Sequence, residues 1–196
     1  CSSDLEIGPP PAGPQARDAT DEEIADLVAE REQAEFDAAQ ASLGAAMEAN
    51  PEIAALKDNV IIDMTPAGMR IQLVDKEGGS MFAAGGAAMP ARTRELLAEI
   101  TRVISELPND LRISGHTDAE PFGAANGDTN WELSSDRANA SRRVITESGF
   151  PVHRVREVVG KADSDPLTPE DPFLPENRRI SLILLRNSPV LPPDMR

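Results

Sequence analysis

The sequence has no tyrosine, one tryptophan, two histidines and one cysteine among its 196 residues. A lone thiol cannot close an internal disulfide, and Cys1 cannot by itself build a cysteine-based zinc site. The histidines, His116 and His153, lie far apart in the chain, so neither a metal nor a cofactor is expected. No apolar run approaches the ~18 residues that a membrane-spanning helix needs. No signal-peptide pattern is present either, so the chain is expected to be soluble throughout or to have lost an N-terminal piece. Basic residues are outnumbered: 19 Lys and Arg stand against 34 Asp and Glu, for a net charge of −15. That balance excludes a nucleic-acid binder working through a general basic surface, and it disfavours docking on anionic lipid.

What is present divides into two unlike parts. Residues 1–58 hold 14 acidic and 3 basic residues, while residues 59–196 are nearly balanced with 20 and 16. The run Gly8 to Pro14 is too rich in proline for a helix or a central strand, so residues 1–19 read as an extended acidic leader. A linker-helix region follows over residues 20–58. Its start near Thr20 or Asp21 is marked by Glu22, Glu23 and Asp26, which suit the positive end of a helix. Ile24, Leu27, Arg31, Ala34, Ala38, Ala41, Ala45 and Glu48 then recur in alternating steps of three and four. This thin seam is expected to lie on the domain, to stay solvated, or to pair with a second copy.

From residue 59 the period changes to two. Val60, Ile62 and Met64, then Met69, Ile71 and Leu73, predict two strands joined by a turn at Thr65 to Gly68. Pro90 opens a helix whose core face is Leu96, Leu97, Ile100, Val103, Ile104 and Leu107. Leu111 and Ile113 mark a third strand, Ser134 to Ser148 a second helix, and Val155 to Val159 and Ile180 to Leu185 two more strands. Arg112 and Ser114 point away from the apolar face, as expected of a sheet covered on one side only. The pattern predicts an α+β fold, a two-layer β-α-β-α-β sandwich over residues 59–187, with a tail at 188–196. Prolines 166, 169, 172 and 175 read as a stiff loop, or less simply as a polyproline ligand.

Three polar stretches sit where these elements end: Ser114 to Asp118, Asn130 to Ala138, and Glu176 to Ile180. Ser134 reads as the cap of the second helix, which puts Arg137 in its first turn, where the dipole disfavours a cation. Arg137 therefore either pairs with a nearby acid such as Asp136 or grips an incoming anion. Asp118 supplies the opposite charge. The two either form a structural ion pair or bracket a zwitterion, Asp118 taking its ammonium and Arg137 its carboxylate. His116 beside Asp118 suggests a hydrolytic alternative with His116 activating water, although neither a nucleophile elbow nor a phosphate loop is present. Trp131 reads as a lid over the core, or else as a stacking platform for sugar.

The wording Gly115-His116-Thr117-Asp118-Ala119, Asn130-Trp131-Glu132-Leu133-Ser134 with Arg137-Ala138-Asn139, Gly160, and Asn177-Arg178-Arg179-Ile180 resembles the OmpA-like peptidoglycan-binding domain. The form is similar to that of the MotB family of flagellar motor stators, from about Asn59 to Leu185. The resemblance implies non-covalent capture of the diaminopimelate-containing stem peptide, with no enzymatic activity. It maps the two gripping residues onto Asp118 and Arg137, and it lines the same groove with Thr117, Asn130 and Arg179. It further implies a periplasmic homodimer bound to MotA and anchored in the inner membrane by a segment absent here. A Pal-type envelope tether, lipid-anchored through Cys1, is the alternative, and a wall-peptide hydrolase is a third reading.

Overall fold

The computed structural model describes residues 21–76, 79–83, 85–123 and 127–187. The leader with Cys1 and the tail at 188–196 lie outside these residues. Among the described residues there are four α-helices and five strands, besides short 3-10 turns: α1 (Asp21–Ala49), α2 (Pro51–Ala54), β1 (Val60–Thr65), β2 (Gly68–Val74), α3 (Ala91–Ile104), β3 (Leu111–His116), α4 (Asn130–Glu147), β4 (Val155–Gly160) and β5 (Arg179–Leu185).

The strands form one sheet in the order β1-β2-β5-β3-β4. The β1–β2 hairpin, the β2–β5 pair and the β5–β3 pair are antiparallel, whereas β3 and β4 run parallel. Parallel neighbours need a crossover, and α4 supplies it between β3 and β4. Ile71 and Leu73 of β2, Leu111 and Ile113 of β3, and Ile180, Leu182 and Leu184 of β5 are buried with Leu96, Leu97, Ile100 and Ile104 of α3 in one core. The fold is therefore α+β, as the alternating periods predict.

Helix α4 lies unusually close to the sheet. A Cβ at Gly115 would stand 2.1 Å from the Ser134 carbonyl oxygen, and one at Gly160 would stand 2.1 Å from the Ser135 hydroxyl. Only glycine at these two sheet positions lets the first half of α4 settle where it does.

That helix also begins earlier than its sequence suggests. Thr129, not Ser134, is the cap: the Trp131 amide donates to Thr129 Oγ1, and Glu132 reaches back to the Thr129 amide at 2.8 Å. This is a capping box, Thr-x-x-Glu, which satisfies two orphan amides reciprocally. The Ser134 hydroxyl instead accepts from the Ala162 amide at 3.0 Å and ties α4 to the segment after β4. Arg137 consequently lies two turns inside the helix, beyond the reach of the terminal dipole.

Helix α1 lies against α3, but on a different face from the expected seam. Ile24, Leu27, Arg31, Ala34, Ala38, Ala41, Ala45 and Glu48 are all exposed, whereas Glu32, Phe36, Ala39, Leu43 and Met47 are buried. The regular spacing of small residues was misleading, because Phe36, Leu43 and Met47 each remove far more apolar area from water. Glu32 fastens this helix to the sheet end. Its Oε1 accepts from Asn109 Nδ2 at 2.8 Å and from the Asn187 amide at 2.9 Å, with Arg186 at 3.6 Å from Oε2. Among the described residues no helix is long and apolar enough to cross a membrane.

Candidate functional site

Where β3 ends, the chain turns over the start of α4 and leaves a cleft of about 150 Å³. Thr117, Asp118, Asn130, Arg137 and Arg178 line it, with Phe122 at its edge. Four of the five expected site residues therefore meet here. Arg179 does not. In β5 the residues facing the core are Ile180, Leu182 and Leu184, so Arg179 shares the opposite face with Ser181 and Ile183 and lines a separate cavity there. Its neighbour Arg178, just ahead of the strand, is the arginine in the cleft.

Arg178 organises the acidic side. It donates from Nη1 to Asp118 Oδ2 at 2.6 Å and from Nε to Asp75 Oδ2 at 2.9 Å. Burial works against its charge, yet these two hydrogen bonds hold its pKa above the ordinary arginine value. Asp75, just past β2, is almost fully buried and also accepts from the Met81 amide at 2.6 Å and the Ser80 hydroxyl at 3.0 Å. One carboxylate thus fixes both Arg178 and the loop that carries Phe82. Asn177, wholly buried, staples the proline loop behind it by accepting from the Thr168 amide and donating to the Asp171 carbonyl. Those prolines therefore serve an ordered loop.

Arg137 forms the opposite wall. It is 4% exposed, stacks over the Phe82 ring at 5.0 Å, and donates from Nε to the Gly86 carbonyl at 3.0 Å. Its two terminal nitrogens have no hydrogen-bond partner among the described residues, and no carboxylate there lies within ion-pair distance. Burial pushes its pKa below the usual arginine range; Asp75 and Asp118 pull it back while Arg178 adds to the lowering. A guanidinium so placed is short of negative charge. Neither predicted ion pair, with Asp136 or with Asp118, forms.

Asn130 and Thr117 complete the cleft. Asn130 Nδ2 donates to the Glu120 carbonyl at 3.0 Å and to that of Asp118 at 3.4 Å, pinning the turn to the helix start. The Thr117 hydroxyl is buried and lacks a partner among the described residues. His116 lines the cavity on the other face of the sheet with Arg179, whereas Asp118 lines the cleft. Among the described residues no cluster of His, Cys, Asp and Glu could hold a metal. Trp131 is 53% exposed and is not a lid over the core.

The model of the OmpA family matches residues 81–178, half of the chain. The chain belongs to the OmpA family. That match spans Asp118, Asn130, Arg137 and Arg178, so the whole cleft apart from Asp75 falls inside the OmpA segment. Motility protein B of Escherichia coli strain K12 is 37% identical over 163 residues, covering 83% of this chain and 53% of that protein. The chain therefore spans about half the length of this relative. Among solved structures, a MotB-like protein from Desulfovibrio vulgaris superposes with a TM-score of 0.69 at 18% identity, over 84% of this chain and 99% of that one. The periplasmic domain of Helicobacter pylori MotB gives 0.57 at 17% identity, over 65% and 82%. At such identities the two structures speak for the OmpA fold.

Asp75 and Arg178 were not expected in the site. For Arg178 a signal existed: strand parity places residues 179, 181 and 183 away from the helices. For Asp75 there was none, because its role depends on a contact with a residue 103 positions away.

Proposed function

We propose that residues 59–187 form a wall-binding module that holds the stem peptide of peptidoglycan without breaking a bond, and so anchors a flagellar stator of the MotB kind. The observation that carries this reading is the buried Arg137 guanidinium, its terminal nitrogens unbonded, facing Asp118 across a cleft of about 150 Å³. A space below the ~300–1,000 Å³ usual for small-molecule pockets suits the end of a side chain better than a whole sugar. The free end of diaminopimelate carries an ammonium and a carboxylate on one carbon. Its carboxylate would meet Arg137 bidentately, and its ammonium would meet Asp118, which Arg178 holds in place. The Thr117 hydroxyl is available to either group.

Such a site is static. It would hold a ligand by charge and shape, with no bond made or broken. The place of action is the periplasm, where the mesh is. A homodimer joined to MotA through a membrane segment is the assembly that the MotB-family resemblance implies.

Sedimentation with purified sacculi tests the reading. The wild-type chain is expected to co-sediment, and Asp118→Ala and Arg137→Ala to stay in the supernatant while keeping their circular dichroism spectra. Truncating one member of a desolvated charged contact typically costs ~2–5 kcal/mol, enough to empty a weak site. If both variants sediment as the wild type does, the cleft is not the binding site.

A further inference from the structure

The sheet face turned away from α3 and α4 carries a second cavity, of about 410 Å³, to which the wall-binding reading gives no role. It is walled by β2, β3, β4 and β5 and roofed in part by the loop after β4, through Lys161 and Asp165. Of its four cationic side chains, two are already matched: Arg70 by Asp63 at 2.6 Å and Arg112 by Glu157 at 2.7 Å. The other two are Arg179 and Lys161. Arg179 is 4% exposed; its Nε donates to Gln72, its Nη1 to the Asn177 carbonyl at 3.5 Å and its Nη2 to the Asp165 main-chain carbonyl, so only the second hydrogens of Nη1 and Nη2 are left for a ligand. Lys161 has no ion-pair partner among the described residues.

His116 opens into the same space. It is 2% exposed, and its Nδ1 has no hydrogen-bond partner among the described residues. Burial first, then the neighbouring Arg179 and Lys161 charges, push its pKa down to about 3, while the Asp165 carboxylate and the Asp165 main chain pull the other way. The Asp165 carboxylate sits 3.9 Å from His116 Nδ1 and 3.8 Å from Arg179 Nη2, too far to hydrogen-bond with either, and its side chain is 60% exposed. It occupies the place of a counter-ion without being held there.

We propose that this cavity is an oxyanion site of phosphate class, in which a phosphate group displaces the Asp165 carboxylate and is held by Lys161, Arg179 and His116. Three donors converging from β3, β5 and the loop after β4 suit an anion whose oxygens point in several directions better than a planar carboxylate. The Ser114 and Ser181 hydroxyls on the cavity wall add neutral partners. In a chain of net charge −15 this is a local cationic surplus with room for a ligand.

The test follows the His116 imidazole nitrogens by NMR while inorganic phosphate is added at constant ionic strength, with dimethyl phosphate as a second probe. Saturable shifts of the His116 signals are expected. Lys161→Ala should weaken binding at least fivefold. Asp165→Asn should tighten it about fivefold, because a competing negative charge leaves the pocket. Asp118→Ala should leave the response unchanged, which separates this site from the wall-binding cleft. A response to phosphate alone assigns the site to free phosphate or a monoester; a response to both probes extends it to phosphodiester polymers. No His116 shift at millimolar phosphate, or an Asp165→Asn variant that binds no more tightly than the wild type, overturns the proposal.

Discussion

Arg178 donates to Asp118 at 2.6 Å, joining the loop after β3 to the entry of β5 across 60 positions of sequence. The arginine beside it, Arg179, is directed through the sheet to the other face. Two adjacent guanidinium groups are thereby committed to two different cavities.

The difference between them is measurable. Arg178→Gln releases Asp118 from its charged partner and is expected to lower sacculus retention about tenfold, or ~1.4 kcal/mol. Arg179→Gln should leave retention within twofold of wild type. Co-sedimentation of both variants, with melting curves to establish that each is folded, decides the point. Equal losses from the two would mean that Arg178 acts through general stability.

Gly115 is expected to tolerate no side chain. A methyl group there meets the Ser134 carbonyl at 2.1 Å, so Gly115→Ala must lift α4 from β3. The cost should be ~1–3 kcal/mol, as for other overpacked sites. Because Arg137 rides on α4, sacculus binding should fall as well. Urea unfolding and co-sedimentation measure the two effects separately, and an unchanged midpoint would contradict the close packing.

Helix α1 should detach without unfolding the rest. Phe36→Ala removes its largest buried side chain, a change that typically costs ~3–5 kcal/mol. Combined with Glu32→Gln, which weakens the link to Asn109 and Arg186, it should expose residues 21–49 to rapid proteolysis. The fragment from about residue 59 onward should survive. Cleavage throughout the chain at equal rates would show that α1 is integral to the core.

Acid should destabilise the fold partly through His116. Its folded pKa of about 3 lies below its ordinary 6.5, so the unfolded chain takes up a proton first as pH falls. Stability from the neutral imidazole is complete above pH 6.5 and is lost between there and pH 3. In His116→Gln the fall in melting temperature over that window should be shallower than in the wild type. Parallel curves would assign the acid sensitivity to carboxylates alone.

The element order was legible because the core strands and α3 repeat their apolar residues at the period of their own backbone. Local periodicity carries that information, and Val60 to Leu73 or Leu96 to Ile104 suffice to display it. The start of α4 is encoded locally too, in Thr129 and Glu132, although Ser134 offers a second cap-like hydroxyl farther along the helix. The burial of α1 was not legible. Which stripe of a helix faces a neighbour depends on what that neighbour offers, and α3 offers a surface that accepts Phe36 and Leu43.

By itself, the sequence determined the order of strands and helices and the family wording. Each depends on residues close together in the chain, where backbone geometry alone decides the outcome. Tertiary structure decided that Asp118 is held by Arg178 and Asp75, that Arg137 keeps its terminal nitrogens free of carboxylate, and that His116 and Arg179 belong to another cavity. Those facts depend on which face of the sheet each strand end presents and on contacts spanning tens of residues, which no local pattern encodes.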